Sequence, residues 1–110
     1  MRRLKFAELQ PEHQREILSH LKRGEAESTV WELVPKFPVN EAAAFAWDMS
    51  VVVSERRVRD VVLGLASGNK LRPILMDSTN EDAPWIEGIH RSVAAERLKR
   101  KTMPALVRVL

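Results

Sequence analysis

The sequence predicts a small α+β domain: a mixed sheet with helices packed on it. Three observations carry that prediction. The second half of the chain alternates short apolar runs with helical stripes, in the order β-α-β-β-α-β. The 110 residues are 45% hydrophobic and 30% charged, which suits one folded core and not a disordered chain. There is no cysteine, so the core must hold without disulfides. The same absence excludes thiol catalysis, thiolate metal sites and iron–sulfur clusters.

Pro11 to Arg23 reads as the first helix. Pro11 suits a first turn, acids lie early, bases lie late, and Gly24 can close it. Its apolar stripe is thin (Ile17, Leu18, Leu21), so it should lie as a lid on something larger. Residues 25–34 are expected to continue as a short helix carrying Val30, Trp31 and Leu33, before Pro35 and Pro38 force an extended break. Asn40 can cap a short alanine-rich helix over Glu41–Ala46. The expected organisation is a helical extension over residues 1–46, packed on the same folding unit as a sheet domain over residues 47–110.

The run Trp47–Val53, with valines at 51 to 53, favours a strand. Ser54 caps a helix whose Val58, Val61, Val62 and Leu65 recur at i, i+3, i+4 and i+7, and Ser67-Gly68-Asn69 ends it. Leu71–Met76 reads as a buried strand, residues 77–82 as a polar turn and Trp85–Glu87 as a short strand. Gly88 breaks that strand. Ser92–Leu98 is a helix with Val93, Ala94 and Leu98 inward, and Thr102–Val109 is the last strand. Trp31 and Trp47 are expected as core anchors, and Trp85 as core or pocket wall.

The net charge is +3, from 18 Lys/Arg and 15 Asp/Glu, a weak pointer to a polyanion partner. The excess sits late: Arg91–Arg108 holds six bases and one acid, Glu96. No apolar run approaches the ~20 residues of a membrane helix. The N-terminus lacks a secretory core, so a cytoplasmic location without membrane attachment is the expectation.

The chemistry is expected at Glu87-Gly88-Ile89-His90-Arg91. A strand–Gly–helix junction offers unpaired amides and the positive end of a helix dipole. Gly88 permits close approach. Arg91 brings a fork-shaped donor for phosphate oxygens, and His90 brings a further donor or a group that titrates near neutral pH. The plain alternative is a tight turn with Arg91 on the surface and His90 capping the helix.

Taken in order, these pieces are similar to the N-terminal domain shared by ParB partition proteins and sulfiredoxin. The resemblance covers residues 51–110. It rests on the Ser54-led helix, Leu71-Arg-Pro-Ile-Leu-Met76, the Glu87–Arg91 junction, Ala94-Ala95 behind it, and Lys101-Thr-Met-Pro-Ala-Leu-Val107. It implies a ParB/sulfiredoxin-like mixed sheet with the helices packed on it. It also implies nucleotide phosphates at Gly88, His90 and Arg91, with the Ile89 position inside the motif. Arg57, early in the preceding helix, would add charge to the same phosphates. Two hydroxyl residues that help in sulfiredoxin are replaced here by Asp60 and Gly64. Ile89 stands where sulfiredoxin has its catalytic cysteine, so sulfinic acid reduction is excluded. Nor can Ile89 act as the junction acid that organises metal and triphosphate in ParB. Glu87 resembles the Asp before Gly in other members, among them free-serine kinases. The sequence ends at Leu110 without the helix-turn-helix and dimerisation regions of partition proteins, so a complete partition protein is not expected.

The expected function is therefore binding of ATP or another nucleotide, with magnesium, and hydrolysis as the candidate reaction. Glu87 and His90 are the candidate catalytic residues. Glu87 would hold magnesium or accept a proton; the alternative is a carboxylate paired with Arg91 or a neighbouring base. Arg97, Lys99, Arg100 and Lys101 are candidate nucleic-acid contacts, with a solvated helix end as the alternative. They motivate a second reading, a DNA-binding or nuclease-like protein of a plasmid or phage. A third is a ligand-free protein–protein interaction domain. His13 and His20 share a helix face but lack a third ligand, so no metal site is expected and both should be solvent-exposed.

Overall fold

The computed structural model describes residues 2–48 and 53–110, the side chains of 46–48 excepted. Its frame is a five-stranded mixed sheet. The strands are β1 (Arg3–Lys5), β2 (Val30–Pro38), β3 (Ile74–Asp77), β4 (Trp85–Glu87) and β5 (Thr102–Arg108), in the spatial order β1-β2-β5-β3-β4. β5 runs antiparallel to β2 and parallel to β3, so the strand latest in sequence is the central one. The helices are α1 (Pro11–Leu18), α2 (Arg23–Ala26), α3 (Val39–Asp48), α4 (Glu55–Ala66) and α5 (Ile89–Arg97), with a single 3₁₀ turn at Phe6–Glu8. The α+β class read from the sequence is the class observed.

Side-chain alternation along the strands sends apolar residues to both faces, and both are covered. On one face Ile74, Met76, Met103 and Ala105 pack with Val39 and Ala42 of α3 and with Ile89 and Ala95 of α5. On the other, Leu75, Leu106 and Trp31 pack with Phe6, Leu9, Ala26 and Ile17 of α1. α4 lies outside α5, with Val58 on Val93 and Ala94. The thin stripe of α1 thus does cover something larger: the sheet itself.

The N-terminal third differs from its expected form. Residues 30–38 are the long strand β2, not a helix followed by a break, so the first 46 residues are not a purely helical extension. Val30, Trp31, Leu33 and Val34 fit a helical stripe by spacing, but they are β-branched, aromatic or apolar and find a strand on each side. Pairing with distant partners overrides local pattern here. Pro35 is absorbed by a register shift between Val34 and Phe37, where the chain gains one residue on β5, and Pro38 ends the strand opposite Thr102. The first helix ends at Leu18, and Gly24 lies inside α2 instead of closing α1.

Residue 47 was the expected start of a strand and of the second unit. Residues 47 and 48 instead finish α3. Val51 and Val52 of that expected strand, and the Trp47 side chain, lie outside the described residues. Val53 is half-buried against the α4–α5 contact. Downstream, α4, β3, β4 and β5 follow their expected positions, and α5 starts earlier, at Ile89.

Candidate functional site

Gly88 is the pivot of the site. Its φ of 94° and ψ of 31° are left-handed, a conformation that turns β4 into α5 and that side chains resist. The amides of Ile89 and His90 precede the first intrahelical donor, the Arg91 N–H that bonds Gly88 O at 3.0 Å, so they remain donors at a positive helix end. The Ile89 side chain goes into the core, which leaves only its amide for a ligand. The Arg91 side chain folds back over Gly88 and occupies the space a Cβ would need. Glycine is favoured there for its φ, and its missing side chain leaves the room that the Arg91 guanidinium takes up.

Arg91 is only 8% exposed, and its Nη2 donates to Glu16 Oε2 of α1 at 2.9 Å. The pairing is incomplete. Arg91 Nε and Glu16 Oε1 are both buried and without hydrogen-bond partners. The alternative of a surface arginine is thus overturned, and Glu87 is not its partner. Glu87 instead accepts from His20 Nε2 at 2.7 Å. His20 stacks on Trp85 with centroids 4.2 Å apart and planes 5° from parallel, so Trp85 is spent on a histidine.

His90 accepts the Ser54 amide N–H at its Nε2, at 3.1 Å. An imidazole nitrogen that accepts carries no proton, so His90 is neutral and offers only Nδ1–H. Burial first, and then the Arg57 guanidinium, hold its pKa below the ordinary value, with Glu87 opposing. Of the two roles expected for His90, a further donor remains, through Nδ1–H of a neutral imidazole. Ser54 serves twice, since its hydroxyl also accepts the Arg57 amide as the cap of α4.

Glu87, Gly88, His90 and Arg91 line a cleft of about 610 Å³ between α1, α4 and the β4–α5 junction. Four arginines reach it: Arg15 from α1, Arg57 from α4, Arg72 before β3 and Arg91 from α5. Four carboxylates share it: Glu12, Glu16, Asp60 and Glu87. Arg72 pairs with Glu12 at 3.3 Å and Arg91 with Glu16. Among the described residues, Arg15 and Arg57 have no carboxylate within 4.0 Å. The volume falls in the range of small-ligand sites. A smaller cavity of about 210 Å³ adjoins it, sharing Asp60, Val61, Arg72 and Arg91.

Arg57, Glu87, Gly88, His90 and Arg91 of the expected set come together at this cleft, the Ile89 side chain does not, and a further wall is made by α1. Glu12, Arg15, Glu16 and Ser19 recur at i, i+3, i+4 and i+7, the spacing that marks one helix face. That polar stripe was as visible as the apolar one. His13 departs from its expected exposure. It is 6% exposed, its Nε2 is unpartnered, and burial lowers its pKa against the opposing charges of Glu16 and Glu12.

The basic cluster is less open than its spelling. Both terminal nitrogens of Arg97 bond the Glu55 carboxylate at 2.7 Å. Lys99, Arg100 and Lys101 remain exposed on the turn to β5, with Lys99 at a φ of 58°. No group of three or more potential metal ligands occurs among the described residues. No helix among them is long and apolar enough to cross a membrane. No family model, curated protein or solved structure matches the chain.

Proposed function

We propose that the cleft binds the phosphates of a nucleotide, in the manner of ParB/sulfiredoxin-like domains. One observation carries this reading: four arginines from separate segments converge on the start of α5, where a left-handed glycine presents free amides. Arg15 and Arg57 are the cations ready for a ligand. Arg91 adds a buried Nε–H that has no acceptor. The adjoining cavity, walled partly by Val61, Leu65 and Leu71, is suited to the less polar part of such a ligand. The carboxylates fit a magnesium ion carried in with the phosphates, since magnesium needs only one or two from the protein. Asp60 and Glu87 would hold it, and it would neutralise phosphate charge.

Isothermal titration with ATP, CTP and GTP, with magnesium, tests the reading. Binding that Arg57→Ala weakens at least tenfold is expected. Folded protein that binds none of them at millimolar concentration overturns it. Glu87 is the junction carboxylate able to take a proton from water, whereas the one unprotonated nitrogen of His90 is engaged by the Ser54 amide. A phosphate-release assay with Glu87→Gln as control separates a hydrolase from a binding module. The hydrolase reading expects release to fall with binding retained, and equal release by both proteins removes Glu87 from any chemistry.

A further inference from the structure

We propose that Glu16 is a resident competitor for the phosphate, so that the cleft is self-inhibited by α1 until a ligand takes Arg91 from it. This rests on the anion-binding reading above and says what regulates that site.

An arginine and a carboxylate that brace a fold have their polar atoms met, often as two forks with two parallel hydrogen bonds. Here a single bond forms, from Nη2 to Oε2. Beside it, Nε–H of Arg91 has no acceptor and Oε1 of Glu16 has no donor, although both atoms are buried. Leaving such groups unmet is costly, so the arrangement is poised to exchange. A tetrahedral phosphate resting on Gly88 can offer separate oxygens to Nε–H and Nη2–H at once. It can also take the amides of Ile89 and His90, which the Glu16 carboxylate, hung from α1, is not bonded to.

The surroundings favour exchange of this one side chain. Ile17, the next residue, is fully buried on the sheet and anchors α1 whether or not Glu16 stays. Arg15 lines the same cleft without an acidic partner among the described residues, so an entering phosphate meets a second cation there. The other pair across the cleft, Arg72 with Glu12, is exposed and long at 3.3 Å, and yields more easily. Glu16 therefore sets the threshold for entry.

Titration of inorganic tripolyphosphate into the wild type, Glu16→Gln and Arg91→Ala tests the proposal. Glu16→Gln should bind about ten- to a hundredfold more tightly than wild type, the range spanned by one charge-assisted hydrogen bond. Arg91→Ala should bind more weakly than either. Equal binding by wild type and Glu16→Gln overturns the competitor role and leaves the phosphate site standing. Binding by none of them, with fold intact, overturns both. Should Glu16→Gln not fold, the wild type still decides the matter by NMR. Tripolyphosphate should move the Glu16 side-chain carboxyl and the Arg91 Nε–H resonances together. Shifts at the Ile89 and His90 amides with the Glu16 carboxyl unmoved would overturn the proposal.

Discussion

Two buried arginine–carboxylate pairs sit at different places on this sheet, and they are built differently. At the end of β3, Asp77 is 3% exposed and every one of its oxygens is used. Oδ1 accepts the Thr79 amide at 3.0 Å and the Thr79 hydroxyl at 2.6 Å, and Oδ2 accepts Arg108 Nη1 at 2.8 Å. Arg108 also donates its Nε to the Leu110 carbonyl at 3.0 Å. Burial pushes the Asp77 carboxyl up, but the bonds from Thr79 and Arg108 outweigh it and hold the pKa below the ordinary value. At the cleft, Arg91 and Glu16 are as close and nearly as buried, yet each keeps an atom unmet. A completed network fixes strands; an incomplete one beside a cavity has bonding capacity left for something else.

The sharpest way to break that contrast is to cut both pairs. Asp77→Ala leaves Arg108 without its buried counter-charge and should cost about 3–5 kcal/mol in urea denaturation. Glu16→Ala should cost only about 1 kcal/mol, because it removes one hydrogen bond and opens the Arg91 guanidinium to the cleft beside it. Equal losses would show that the two pairs serve the same end. Gly88→Ala comes between them. It forces a Cβ into the Arg91 guanidinium at a φ of 94° and should lose more than about 1 kcal/mol, together with ligand binding.

Acid should act on the cleft side before the Asp77 side. His13 and His90 both have pKa values held below the ordinary 6.5, by burial in each case. The unfolded chain then binds protons that the folded one refuses. Their contribution is complete above about pH 6.5 and fades as pH falls towards the folded values. Melting temperature should drop between pH 7 and 5, and His13→Gln should flatten part of the drop. A profile that is level or rises over that range would sink the assignment. Asp77 has a lowered carboxyl pKa, so its share is lost only at still lower pH. The smallest effect belongs to Glu55 and Arg97. Theirs is an exposed bidentate pair, and Glu55→Gln should leave the melting temperature unchanged within error.

The parts legible in the sequence are those whose cause is local. Ser54 and the Val58/Val61/Val62/Leu65 stripe announce α4 within one dozen residues, and Gly88 announces its turn by lacking a side chain. β2 was not legible, because the reason Val30–Pro38 is extended lies at residues 102–108, which pair with it. The charge pattern misled for the same reason. Arg97 reads as a free cation until Glu55, 42 residues earlier, meets it. Arg91 reads as a free phosphate donor until Glu16, 75 residues earlier, is seen on it. Residue types told what chemistry was present, while the long-range pairings decided which of it was already in use.

The central place of β5 has a consequence for how the protein comes to exist in a cell. Until residues 102–108 have been synthesised, β1 with β2 and β3 with β4 are two separate two-stranded pieces with no strand to join them. Isolated strand pairs are marginal in water. A nascent polypeptide that lacks β5 therefore has no strand to join the two pieces, and closure of the sheet waits for it. Chaperone dependence of this protein should thus be greatest in that interval, and shortening the chain by one strand at that point should release a molecule that aggregates instead of one that merely melts earlier.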